Sequence, residues 1–197
     1  FGIRAAVIAA LLALGLAGCA RTTKWRNTDI TGSLPPLSFT MTRANDGRTI
    51  TATDYRGKVV MLYFGYTYCP DACPTTLSNV MKALHRLDSA ANGVRILFVT
   101  VDPGRDTLPV LKRYAAAFGP EVDGLRGTDD ALAALARRYR VAYSVDPHAE
   151  DGSYQVNHSS AIYIFDRRGE PRLLATSLNT ASPDIAGTAA DLRRLLR

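Results

Sequence analysis

Two cysteines stand four positions apart in "GYTYCPDACPTTL", Cys69 and Cys73, each followed by a proline; the third cysteine of the chain, Cys19, lies within the first twenty residues. Thiols this close can form a structural disulfide, a redox couple or part of a metal site. On a helix, side chains at i and i+4 share a face with Cβ atoms about 5–6 Å apart. That is near enough for both sulfurs to reach one ion, and it falls within the Cα separation of about 4.4–6.8 Å that a disulfide accepts. A helix start also favours the thiolate, the form that binds metal and attacks disulfides. A bridge closing so short a loop removes little unfolded-chain entropy, and a proline beside each cysteine describes a shaped turn rather than a staple. The C-x-x-C spacing of the thioredoxin-type redox motif is exceeded by one residue, which weakens the redox reading and leaves it standing.

A metal needs at least one further ligand, and the chain offers His85, His148 and His158. His85 lies in a helical pattern next to Leu84 and reads as a surface or core residue. His148 lies in a polar loop and reads as solvent-exposed. His158 opens the apolar stretch "SAIYIFD", a strand whose edge should coincide with the cysteine turn, so it is the expected third ligand. Two thiolates and one imidazole make a soft set that suits Cu(I), or Cu(II) with a further weak ligand. Structural zinc takes four protein ligands, and calcium and magnesium take oxygen. The ligand types therefore point to copper.

The elements that must bring these residues together follow from the apolar pattern. "LSFTM" and "TITAT" flank an Asp46-Gly47 turn signal and read as a hairpin. "KVVMLYFG", residues 58–65, is a continuous apolar run that fits a strand buried on both faces, and "VRILFVTVD" fits another. Leu77, Val80, Met81, Leu84 and Leu87 recur at helical spacing after Pro74, and residues 107–118 and 129–139 are amphipathic helices. A short strand, "VAYSV", precedes a polar loop over 146–157 that leads to His158; "SAIYIFD" and "PRLLATS" form a closing hairpin, and Ile185, Ala189, Leu192 and Leu196 mark a last helix. Strands alternating with helices give an α/β sheet covered by helices on both faces, with the cysteines in the turn where a buried strand passes into a helix.

Ahead of this domain, Arg4 and an apolar run from Ala5 to Gly18 have the shape of a signal segment, too short for a comfortable membrane span. The run ends in Leu16-Ala17-Gly18-Cys19, which resembles the bacterial lipobox and implies acylation of Cys19. Residues 1–18 then form the signal segment, 19–36 a lipid-anchored polar tether closed by Pro35-Pro36, and 37–197 the folded domain. Export to an oxidising compartment makes the state of the thiol pair a functional matter. The chain of 197 residues carries a formal charge of +6. Its basic excess comes as separate pairs, Arg137-Arg138, Arg167-Arg168 and Arg193-Arg194, without interleaved aromatics. This pattern argues against nucleic acid and suits an acidic protein or anionic headgroups.

Four blocks in register, "YFGYTYCPDACPTTL", "VTVDPGRDT", "GLRGT…RRYRVAYS" and "VNHSSAIYIFD", resemble the Sco/SenC family of copper-binding, membrane-tethered proteins over residues 35–197. The resemblance implies a thioredoxin-like fold with a central mixed sheet, an N-terminal hairpin and a loop inserted before the ligand histidine. It implies copper held by Cys69, Cys73 and His158, and a role in assembling the CuA site of cytochrome c oxidase, with subunit II or another copper protein as partner. Asp102 matches an acidic position that the family keeps near the metal; its alternative is a turn residue before Pro103, and Arg105 with Asp106 is an expected ion pair in the same turn. Tyr68 stands where the family often has histidine, and Asn157 where it often has aspartate.

The function expected is that of a monomeric metallochaperone, lipid-anchored in a bacterial cell envelope with its domain on the periplasmic side, performing no catalytic turnover. A thiol-disulfide oxidoreductase, in which Cys69 and Cys73 exchange electrons to keep the oxidase cysteines reduced, is the alternative, and it needs no histidine.

Overall fold

The structure, a computed structural model, describes residues 24–146, 154 and 156–197. The strands in chain order are β1 (Thr28–Asp29), β2 (Thr40–Arg43), β3 (Thr49–Thr51), β4 (Val59–Gly65), β5 (Val94–Thr100), β6 (Val122–Arg126), β7 (Tyr143–Val145), β8 (Val156–His158), β9 (Ile162–Phe165) and β10 (Pro171–Ala175). The α-helices are α1 (Ala72–His85), α2 (Leu108–Ala116), α3 (Asp129–Arg138) and α4 (Ile185–Leu195).

Eight strands form one mixed sheet in the order β1-β10-β9-β4-β5-β6-β2-β3. All seven residues of β4 are buried, as its unbroken apolar run requires. β4 and β5 run parallel from the pair Val59 and Val94 to the pair Gly65 and Thr100, and β6 continues parallel to β5. Parallel neighbours need a crossover; α1 supplies the first and α2 the second. β9 lies antiparallel on the other side of β4, so the cysteine turn leaves the sheet at the same edge where β9 begins. α3 starts at Thr128, whose hydroxyl accepts from the Ala131 amide at 3.2 Å, and α4 starts at Asp184, whose carboxylate accepts from the Gly187 amide at 2.8 Å; both are N-caps.

Three features differ from the sequence expectation. β6 has no apolar signature because Asp123 and Gly124 interrupt it. The buried Asp123 carboxylate accepts from the Tyr55 hydroxyl at 2.7 Å, and a side chain at Gly124 would press on the Leu111 backbone, so polar and small residues are what this strand needs. His158 does not open β9. It ends β8, which among the described residues pairs with β7 alone, opposite Tyr143, in a separate two-stranded sheet.

Residues 24–36, expected as part of a tether, pack on the domain. β1 extends the sheet against β10, and the buried Asp191 of α4 accepts from the amides of Arg26 and Asn27. A polar segment docks here because it satisfies a carboxylate that has left water. The signal segment, Cys19, His148 and most of the loop before His158 lie outside the described residues. Among the described residues no helix is long and apolar enough to cross a membrane.

Candidate metal centre

Cys73 sits in the first turn of α1 and is fully buried, Cys69 in the preceding loop is half-buried, and both are free thiols. Among the described residues, Cys69, Cys73 and His158 form the one group of at least three metal-ligating side chains, with ligand atoms all within 4.8 Å of one another. Metal bonds of about 2.0–2.3 Å place donors up to about 4.6 Å apart, so the group accommodates an ion with shifts of tenths of an ångström. Nε2 of His158 lies 3.3 Å from Sγ of Cys73. Nδ1 lies 3.0 Å from the Ser159 carbonyl; donating to that oxygen fixes the tautomer and leaves Nε2 with a lone pair toward the sulfurs.

The two thiols differ in charge state. Sγ of Cys69 accepts from the Cys73 backbone N–H at 3.3 Å, so the sulfur occupies the position of a helix cap. The Cys73 thiol and the amides of Cys73 and Asp71 together bring the Cys69 pKa down to about 5. The neighbouring Cys69 and burial push the Cys73 thiol up. Cys69 is therefore the thiolate of the resting pair and Cys73 its proton donor.

Packing around the group explains its position. A Cβ on Gly65 would come within 2.6 Å of the Phe98 ring and 2.9 Å of the Cys73 sulfur, so the end of β4 must be glycine for that sulfur to lie against the strand. The Tyr66 ring meets the His158 ring edge-on at 5.8 Å and 90°, and Tyr63 meets it at 6.2 Å. Asp106, fully buried, accepts from the Thr67 amide at 3.0 Å and from the Thr100 hydroxyl at 2.6 Å, clipping the cysteine loop to the end of β5.

The structure pairs the "DPGRD" residues differently from the expected Arg105–Asp106 ion pair. Arg105 bonds Asp102, because the Asp106 carboxylate is already surrounded by threonine donors. The buried Asp102 also accepts from the Tyr154 hydroxyl at 2.7 Å, and the Arg105 guanidinium lies 3.7 Å over the Tyr154 ring and 5.8 Å from that of Tyr66. Asp102 is thus linked to His158 through Arg105 and Tyr66. Tyr68 is exposed, 5.0 Å from the Arg105 guanidinium, and Asn157 is exposed and donates to Asp146 at 2.9 Å. His85 lies in the last turn of α1, outside the group.

The SCO1/SenC family model matches residues 35–197. The chain belongs to the SCO1/SenC family. The protein SCO2 homolog, mitochondrial, of Bos taurus is 42% identical over 125 residues, which cover 62% of this chain and 47% of the relative; the chain spans about half the length of the curated relatives it matches. The structure of Bradyrhizobium japonicum ScoI with copper bound has 34% identity and a TM-score of 0.72, covering 81% of this chain and 98% of the other. BsSco, a member of the Sco family of cytochrome c oxidase assembly proteins in which a disulfide switch was identified, matches in fold at 20% identity and a TM-score of 0.62, over 88% of this chain and 96% of the other. The mixed sheet flanked by helices is the thioredoxin-like fold of these Sco structures.

Gly65 and Tyr66 escape a sequence reading aimed at ligating residue types, and Asp106, expected as the partner of Arg105, instead holds Thr67 and Thr100. The only signal for Gly65 and Tyr66 is their place at the end of the most apolar strand, directly before the cysteine turn.

Proposed function

We propose that this SCO1/SenC chain is a copper metallochaperone. Copper is its cargo, taken up between Cys69, Cys73 and His158 and passed by ligand exchange to the thiols of the CuA site in cytochrome c oxidase subunit II. The convergence of two sulfurs and Nε2 of His158 within 4.8 Å carries this reading. Two soft sulfur donors and an imidazole fit copper by ligand type, and the Bradyrhizobium japonicum relative is a copper-bound protein. The sequence ahead of residue 24 supports a lipid anchor at Cys19, and a SCO2-like protein of Rickettsia felis is among the relatives; both fit a bacterial envelope location with the domain on the periplasmic side.

Copper titration with X-ray absorption of the bound metal tests the proposal. One copper with two sulfur ligands and one nitrogen is the expected result. His158→Ala should lose stoichiometric binding and keep its dithiol chemistry, whereas full affinity in that variant sinks the three-ligand site.

A second reading rests on the unequal thiols. A half-buried thiolate at Cys69 beside a buried, protonated Cys73 is the arrangement of an attacking and a resolving cysteine. In thiol-disulfide exchange the Cys69 thiolate attacks a partner disulfide, one partner sulfur leaves as a thiolate, and Cys73 closes the intramolecular disulfide as it releases the second. Rapid reduction of the oxidase cysteines by copper-free protein would put this reading first.

A further inference from the structure

We propose that the end of the domain opposite the cysteine turn is a docking face for an anionic phospholipid membrane. The fold gathers there what the sequence scatters. Arg167 and Arg168, in the turn between β9 and β10, meet Arg172, Arg194 and Arg197 around a hollow of 270 Å³ that also includes Trp25. Asp166 is the single acidic side chain among the described residues of that lining. It is already engaged by Arg172 at 3.3 Å and by the amides of Arg168 and Glu170. Arg167 and Arg194 donate to the carbonyls of Gly57 and Lys24, contacts that leave their charge uncompensated. The Arg168 guanidinium stands 3.9 Å from the Asp166 carboxylate, and its side chain is 81% exposed.

Guanidinium groups match phosphate oxygens in geometry and charge, and clusters of basic residues beside a membrane attachment bind anionic lipid. Trp25 adds the amphipathic ring that settles at headgroup depth; its indole lies 3.7 Å from the Arg194 guanidinium and 5.7 Å from that of Arg172. With one aromatic ring, itself stacked on an arginine, the hollow lacks the platform on which nucleic-acid bases stack. The face also lies where the chain leads back toward Cys19. The inference rests on the proposed tether in one respect: anchoring raises the local concentration, so modest attraction suffices to hold the face down.

The geometry gives the docked state a direction. The Gly57 amide bonds the Arg167 carbonyl just before β4 begins, and Cys69 follows its other end. Seven residues of strand at about 3.3 Å each separate the two ends by roughly 20 Å. Docking through the arginines therefore holds Cys69, Cys73 and His158 away from the lipid, toward a partner projecting from the same membrane.

Trp25 is the only tryptophan of the chain, so acrylamide quenching of its fluorescence reads this face alone. The full chain is reconstituted in vesicles of phosphatidylcholine and in vesicles of phosphatidylcholine with phosphatidylglycerol. The expected result is at least about a twofold drop in quenching on the anionic vesicles, reversed at about 1 M salt. Replacing Arg167→Gln and Arg168→Gln together should weaken the protected state about 25-fold, roughly fivefold for each charge, with alkylation of Cys69 unchanged as a check on the fold. Equal quenching on both vesicles, or full protection in the double variant, overturns the proposal. A chain that washes off neutral vesicles yet is protected on anionic ones sinks the tether and keeps the docking face.

Discussion

Cys73 and His158 meet at 3.3 Å from very different supports. Cys73 lies in the first turn of a 14-residue helix, against the central strand of an eight-stranded sheet, and is fully buried. His158 ends a three-residue strand whose one partner is another of three residues, at the border of the long loop. One side of the centre is set by the core. The other is held by a ladder short enough to open locally without disturbing that core. A carrier must bind its cargo and then release it, and this division places the release on the histidine side while the sulfurs stay where the fold puts them.

Gly65 is the residue on which the fixed sulfur side most depends. Gly65→Ala forces its new methyl into the Phe98 ring and the Cys73 sulfur, and overpacking of this kind costs about 1–3 kcal/mol. Urea unfolding should show the loss together with weakened copper binding; unchanged values for both would mean that the sulfur side is as adaptable as the histidine side. A smaller effect separates the two thiols. The depressed pKa of Cys69 keeps it a thiolate above about pH 5, so its alkylation at neutral pH should exceed that of an ordinary thiol by about 30-fold in reactive fraction and should fall only as pH drops through about 5. Cys73, raised and buried, should remain unmodified across this range, and peptide mass mapping checks both. The smallest effect belongs to Asn157→Asp. It sets a second carboxylate beside Asp146 on the surface of the two-stranded sheet, where a change within about 0.5 kcal/mol is expected. Thermal unfolding should barely move while amide exchange in β8 quickens. Slower exchange would show that this ladder is firmer than its length implies.

What could be read in advance was what depends on residue type or on long apolar periodicity. Cys69, Cys73 and His158 declare themselves as ligating types, and β4 shows itself as an uninterrupted apolar run. β6 stayed hidden because Asp123 is there for Tyr55 and Gly124 for the Leu111 backbone, two demands that only the packed structure reveals. The docking of residues 24–36 depends on Asp191, more than 150 positions further along. Arg105 chose Asp102 over its neighbour Asp106 because Thr67 and Thr100 had claimed the latter. The basic face was invisible for the same reason: its arginines come from one turn, the strand β10 and the end of the last helix, which only the fold brings together.

The Cys69 sulfur that receives the Cys73 amide gives the centre its own messenger. A bond made at that sulfur, to metal, to a second sulfur or to an alkyl group, withdraws charge from the acceptor of this one amide. The Cys73 nitrogen–proton resonance in an NMR spectrum should therefore register each state of the pair in turn, naming which chemistry has occurred even when no colour accompanies it.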